Sequence, residues 1–393
     1  MFAARGIKLD FQKLNWNAEY LKRNAFIQDF ESLGFQALML SRIISHLLQR
    51  HFTKYLHPAQ RSIMVKVTSA QSSSKDYNIH LFIDWDGSLT CHDTMSVLAN
   101  IGYKKRRQLF DQGQRLPSIK FWESFVQAYL SDYDKHVSTY NPTRVDRKSV
   151  EQECAWLASL DAVEKASAQR VRDAGLFDCV SVYDVENAAK EAIQDRKVEL
   201  REGWLELLCA PLRYPSGCTI SSVEIISVNW SECFIRQCLK AKVAERCVYD
   251  ISVHNTANKF LDELPIFANQ FIPKDPELET SQNIHTSADK RKILQQQRSS
   301  LSLSDSLADP EMSSLLVYIG DSVTDFDCLL EANIGIVIQD DPMSSSQSEM
   351  QETLRRTGVE IVPIAVGGYV HEALLRPKIY VARNLWEIVD FLA

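Results

Sequence analysis

The chain has 393 residues, 45% hydrophobic and 24% charged, with a net charge of −7 at pH 7. That is an ordinary globular balance over a length sufficient for two or three domains, and its acidic sign argues against a surface built for nucleic acid. No run of 18 apolar residues exists, so no membrane span is expected, and nine scattered cysteines without a CxxC pair read as reduced thiols of a cytoplasmic or nuclear protein. Cys233 and Cys238, the closest pair, are not read as a zinc site.

Residues 1–61 carry nine Lys/Arg against four Asp/Glu, a net +5, and LGFQALMLSRIISHLL (33–48) reads as an amphipathic helix. Mitochondrial presequences are poor in acids, so Asp10, Glu19, Asp29 and Glu31 weigh against one and for a helical extension. The Ser-rich stretch TSAQSSSKDYN (68–78) reads as a linker that closes this first unit, 1–78. Short apolar runs rich in β-branched residues follow: HLFID (80–84), VEIISV (223–228), LLVYIG (315–320), IGIVI (334–338) and KIYVA (378–382). Such runs, alternating with helical patterns, predict an α/β fold: a Rossmann-like parallel sheet with helices on both faces. Residues 94–200 hold few strand signals; IKFWESFVQAYLSDYDKHV (119–137) and residues 150–175 are helical in pattern. They predict an inserted helical cap between the first two strands, with 79–93 and 201–393 forming the core. Residues 298–314, rich in serine, read as a flexible loop.

Asp84 and Asp86 stand at the end of the first apolar run, one residue apart. Residues i and i+2 of a strand face the same way, and in open α/β sheets the C-terminal strand edge is where ligands bind. Two carboxylates there repel unless a cation or a proton intervenes, although loop aspartates also cap helices. The run 315–332 repeats the form, with Asp321 and Asp325 after Gly320. Asp84, Asp321 and Asp325 are hard oxygen ligands, suited to Mg²⁺ rather than zinc. Asp327, on the same stretch, reads as surface or helix-start charge. Ser227 and Asn229 close the run 223–228, where a hydroxyl and freed N–H groups can hold a phosphoryl oxygen. Lys290 opens a helical stretch in HTSADKRKIL (285–294). A serine there is ordinarily a turn residue and such a lysine ordinarily faces water; their order along the chain gives them meaning.

That order, DWDGSLT (84–90), IISVNWS (225–231), Lys290 and GDSVTD (320–325), resembles the haloacid dehalogenase-like (HAD) phosphohydrolase superfamily, over about residues 79–340. The helical insertion resembles the cap of its phosphoserine-phosphatase-like branch. The runs 227–239, 266–271 and 317–338 look most like the phosphatase domain of plant thiamine biosynthesis proteins and their fungal stand-alone relatives. Ser88 stands where many members have Thr, and nothing resembling a thiaminase-type domain is present. The resemblance implies a Mg²⁺-dependent phosphatase acting on a small phosphorylated metabolite, with thiamine monophosphate as the suggested substrate. It implies Asp84 as nucleophile, Asp86 as general acid and then base, and Ser227, Asn229 and Lys290 as phosphate-binding residues. Asp84, Asp321, Asp325 and the Asp86 carbonyl are implied to hold Mg²⁺. Among the cap aromatics, Phe121, Trp122, Phe125, Tyr129 and Tyr133 follow helical spacing and read chiefly as cap core. The competing reading is a HAD-fold protein that binds or regulates without catalysis; none of the expected catalytic positions is lost. Oligomeric state is not legible.

Overall fold

The computed structural model describes residues 77–116, 118–209, 218–246, 251–272, 283–305, 313–364 and 379–392. The extension, its amphipathic helix at 33–48 and residues 68–76 of the linker lie outside the described residues. The last two linker residues do not: Tyr77 and Asn78 begin the first strand.

Seven described strands form one parallel sheet: β1 (Tyr77–Ile83), β2 (Cys218–Ile226), β3 (Ile266–Phe267), β4 (Ser313–Gly320), β5 (Ile334–Ile338), β6 (Ile361–Pro363) and β7 (Ile379–Ala382). Their order is β3-β2-β1-β4-β5-β7-β6. Neither β3 nor β6 was evident from the chain, being too short for a pattern of its own; Pro363 is tolerated because β6 is an edge. The central strands are buried on both faces, as parallel sheets require. On β1, Ile79, Leu81 and Ile83 enter one apolar cluster and Phe82 the other; on β4, Leu315, Val317 and Ile319 oppose Leu316 and Tyr318. At about 25 cal/mol per Å², burial on this scale is the main stabilising term of the sheet.

Between β1 and β2 run α1 (Met95–Asp111), α2 (Trp122–Thr139), α3 (Val150–Ser159), α4 (Asp161–Asp173), α5 (Val182–Gln194) and the short α6 (Trp204–Leu208). Their starts are set locally. Ser149 with Gln152 and Ser181 with Asp184 form capping boxes at α3 and α5, satisfying N–H groups that the helix leaves open. The insertion leaves and returns through one neck: Thr90 pairs with Leu200, the Cys91 N–H donates to Glu199 O at 2.8 Å, and the Arg201 N–H donates to Leu89 O at 2.9 Å. It is also tied down at a distance from the neck. Arg147 donates to Glu153 at 2.8 Å, and Arg356 reaches the same carboxylate at 2.9 Å, all three nearly fully buried.

The remaining α-helices among the described residues are α7 (Glu232–Arg246), α8 (Ile251–Glu263), α9 (Ser287–Asp305), α10 (Phe326–Glu331), α11 (Ser345–Arg356) and α12 (Leu385–Leu392). The loop expected at 298–314 is corrected at its two ends, while residues 306–312 lie outside the described residues. Helix α9 continues to Asp305, and β4 already begins at Ser313. Serines normally weaken a helix, but Ser299 and Ser300 turn their hydroxyls back onto the carbonyls of Gln295 and Gln296, and Leu301 packs on the apolar cluster. Tertiary contact overrides the composition that suggested a loop.

Candidate active site

The strand order reverses at the boundary between β1 and β4. Chain leaving β1 goes to β2 on one side, and β4 returns on the other, so the crevice at their C-terminal ends is the topological switch point of the sheet. Ile83 pairs with Ile319, which carries Asp84 and Asp321 to the same edge although 236 positions separate the partners (319 − 83). The Asp84 N–H donates to Ile319 O at 2.9 Å and locks this alignment.

Three carboxylates meet there. Ligand oxygens of Asp84, Asp321 and Asp325 lie within 4.8 Å of one another, and all three residues are buried. Lys290, on the first turn of α9 and fully buried, donates from Nζ to Asp84 Oδ1 at 2.6 Å and Asp325 Oδ1 at 2.8 Å. Tyr318 adds its hydroxyl to Asp325 Oδ1 at 2.8 Å, and Ser88 donates to Asp321 Oδ1 at 3.3 Å. Two close approaches need glycine: a Cβ on Gly87 would stand 2.4 Å from Asp321 Oδ2, and one on Gly320 2.4 Å from Asp325 Cβ. Gly87 also has φ +83°, which disfavours any side chain.

One ammonium faces three buried carboxylates, and the titration behaviour follows. Burial pushes the Asp84 carboxyl well up, with Lys290 opposing and Asp325 and Asp321 adding to the rise. Burial, then Asp325, pushes Asp321 up to about 8. Burial works against the Lys290 ammonium, but Asp325 and Asp84 outweigh it and hold it charged. Oxygen-only donors with this excess of negative charge fit a small hard dication, which would take Asp84, Asp321 and Asp325 as ligands.

Asp86 is held apart from this cluster. Its Oδ1 accepts from the Thr94 N–H at 2.8 Å and Thr94 Oγ1 at 2.7 Å; its Oδ2 accepts from Asn229 Nδ2 at 2.9 Å. Burial raises its pKa, against the pull of these donors. Asn229 also donates from Nδ2 to Thr94 Oγ1 at 3.1 Å, so its amide links Asp86 to Thr94. Ser227 is fully buried and its Oγ accepts from the Asn229 N–H at 3.1 Å. Asp327 does start a helix, but it is 2% exposed rather than on the surface: α9 and α3 cover it, with Arg291 Nη1 at 3.6 Å and the Cys154 thiol beside it.

The neighbours of the residues that hold Asp86 line a cavity that is partly open to solvent. Met95 follows Thr94, while Val228 and Trp230 flank Asn229; across from them stand Trp122, Phe125 and Tyr129 of α2, Glu164 of α4, and His285. Trp122 meets Trp230 edge-on at 6.1 Å, and Tyr129 donates its hydroxyl to Glu164 Oε1 at 2.8 Å. Of the five cap aromatics, three thus face the cavity. Phe121 is 81% exposed, and Tyr133 stacks with Tyr129 and meets Trp156 inside the insertion. Thr94, Tyr318, Glu164 and Trp230 had not been singled out. Only Tyr318 left a trace, as the one hydroxyl in an otherwise apolar run before the last motif.

No family model matches the chain. In sequence it is similar to the "Bifunctional TH2 protein, mitochondrial" of Arabidopsis thaliana, 26% identical over 306 residues that cover 76% of this chain. The chain spans 44% of that relative's length. Solved structures similar to it include a phospho-aspartyl intermediate analogue of phosphoserine phosphatase, at 14% identity, 81% of this chain, all of that chain and TM-score 0.37. Another is a phosphoserine phosphohydrolase-like protein from Francisella tularensis, at 13% identity, 79% of this chain, 97% of that chain and TM-score 0.32.

Proposed function

We infer that the chain is a Mg²⁺-dependent phosphatase that hydrolyses a small phosphomonoester through an aspartyl-phosphate on Asp84. The observation that carries this reading is the division of labour between the two aspartates. Asp84 lies among charge-balancing groups, while Asp86 is held by Thr94 and Asn229 beside the cavity. A nucleophile and an acid–base residue need such separate settings.

Asp84 attacks phosphorus, and the Lys290 ammonium, 2.6 Å away, opposes the upward push that burial puts on its carboxyl. Asp86, its pKa raised by burial, gives its proton to the departing alkoxide. It then accepts a proton from the water that opens the aspartyl-phosphate. Lys290, from the first turn of α9, and the Ser227 hydroxyl, at the end of β2, would hold the transferred group as charge spreads over it. A dication bound by Asp84, Asp321 and Asp325 would neutralise phosphate charge and align it with Asp84. Residues 94–200 act as the cap that reads the leaving group and excludes water.

Aromatic walls beside the Glu164 carboxylate suit a planar, positively charged leaving group. This agrees with thiamine monophosphate, the substrate suggested by the resemblance of residues 227–239, 266–271 and 317–338; thiamine carries a cationic thiazolium ring. Among the described residues no helix is long and apolar enough to cross a membrane.

The test is phosphate release by the full chain across small phosphomonoesters, with and without Mg²⁺ and with Asp84→Asn as control. Metal-dependent release from thiamine monophosphate, absent in the variant, is expected. Silence from folded, Mg²⁺-binding protein across the panel would transfer the weight to a protein that binds without catalysis.

A further inference from the structure

Arg201 is the first residue beyond the neck pair Thr90–Leu200, and its side chain is buried although it carries a charge. Its guanidinium is divided between two loops. Nε and Nη2 donate to Gly87 O at 3.2 and 2.9 Å, while Nη1 and Nη2 donate to the two oxygens of Asp340 at 2.5 and 2.8 Å. Asp340 is itself fixed by Gln347, whose Nε2 donates to Asp340 Oδ2 at 2.8 Å and whose Oε1 accepts from the Asp340 N–H at 3.0 Å. Gln347 in turn belongs to the capping box that starts α11.

Both loops held by this fork border Asp321. Gly87 packs against the Asp321 carboxylate with no room for a Cβ, and Ser88 donates to Oδ1. From the other side, Ser346, the residue before Gln347, approaches Asp321 Oδ2 at 3.5 Å. Lys290 pairs with Asp84 and Asp325 but not with Asp321, so the position of Asp321 depends on these walls.

We propose that Arg201 is a positioning residue for the dication site: by clamping the Gly87 carbonyl to Asp340 it holds the two walls that aim Asp321. This rests on the reading of Asp84, Asp321 and Asp325 as a cation site. Because Arg201 is also the exit residue of the insertion, the same clamp joins the neck of the cap to the metal ligands. A planar fork that bonds two acceptors at once is chemistry that lysine cannot reproduce.

The sign of the effect separates positioning from plain charge. If Arg201 acted only through its positive charge, its removal would make the site more negative and tighten cation binding. If it positions Asp321, its removal weakens binding. The experiment is Mn²⁺ binding to the full chain by electron paramagnetic resonance, confirmed with Mg²⁺ by calorimetry, on the wild type, Arg201→Gln, Arg201→Lys and Asp340→Asn. Arg201→Gln is expected to weaken Mn²⁺ binding about 10- to 100-fold, the range found for residues that orient metal ligands. Arg201→Lys should recover little of it, and Asp340→Asn should fall between. Melting in chelator checks that each variant is folded; should Arg201→Gln fail to fold, Asp340→Asn, on a side chain 34% exposed, decides the matter. Unchanged or tighter binding in folded variants would overturn this inference alone. A wild type that binds no dication would overturn both it and the cation-site reading beneath it.

Discussion

Replacing Lys290 with methionine removes one ammonium and keeps a side chain of similar reach. The Lys290 Nζ is bonded to Asp84 at 2.6 Å and Asp325 at 2.8 Å, and its side chain is wholly inaccessible. Lys290→Met therefore leaves two buried carboxylates facing Asp321 with no cation among them. Breaking one buried pair in this manner typically costs about 3–5 kcal/mol. For a domain of this size that is a fall in melting temperature on the order of 10 °C. The loss should be greatest at neutral pH and in chelator. It should shrink toward pH 4, where the stranded carboxyls take up protons, and shrink again in saturating Mg²⁺, which replaces the missing charge. The assay is thermal and urea unfolding of both proteins at pH 5 and 7.5, with chelator or with Mg²⁺. A variant that melts within about 2 °C of the wild type in chelator at pH 7.5 would refute the reasoning, because buried carboxylates without a partner cannot be that cheap.

The metal-free wild type should itself weaken as pH rises. Asp321 is held at about 8 in the folded chain, whereas an unfolded aspartate ionises near 4. Its contribution to stability is thus complete below about pH 4 and lost progressively up to about 8. The melting difference between Mg²⁺ and chelator should widen over that interval, and a constant gap would count against the site. Asn229→Ala removes a donor that favours the Asp86 carboxylate, so the Asp86 pKa should rise. The alkaline limb of the kcat/KM profile, where Asp86 must still carry its proton, is expected to move upward, with kcat falling about tenfold or more; an unshifted profile would refute the placement. Glu164→Gln keeps a hydrogen-bond acceptor for Tyr129 but removes the cavity's charge. It should raise KM for a cationic phosphomonoester about tenfold, equivalent to about 1.4 kcal/mol, and leave kcat and neutral esters nearly unchanged. Equal losses for both kinds of ester would dismiss charge recognition.

The runs at 80–84, 223–228, 315–320 and 334–338 were legible as parallel strands because a sheet covered on both faces needs continuous apolar sequence. The aspartates were legible for a related reason: polar residues that end such runs gather at the C-terminal edge of the sheet, where Asp84 and Asp321 are found together, buried. Lys290 was legible only through its place in the order of motifs, since nothing in HTSADKRKIL marks one lysine for complete burial. The serine-rich end of α9 misled, because composition reports what a segment prefers alone and not that Leu301 meets an apolar cluster. Asp327 was legible as a helix start but not as buried, since helices from distant parts of the chain cover it. The sequence by itself determined which chemistry could gather at the sheet edge, since residue type and strand ending are local. Only the tertiary structure decided which groups hold one another there. Adjacency of β1 and β4 brings Asp321 to Asp84, and packing across the chain brings Lys290 to Asp84 and Arg201 to Gly87; contacts between residues more than 100 positions apart leave no periodic trace in the chain.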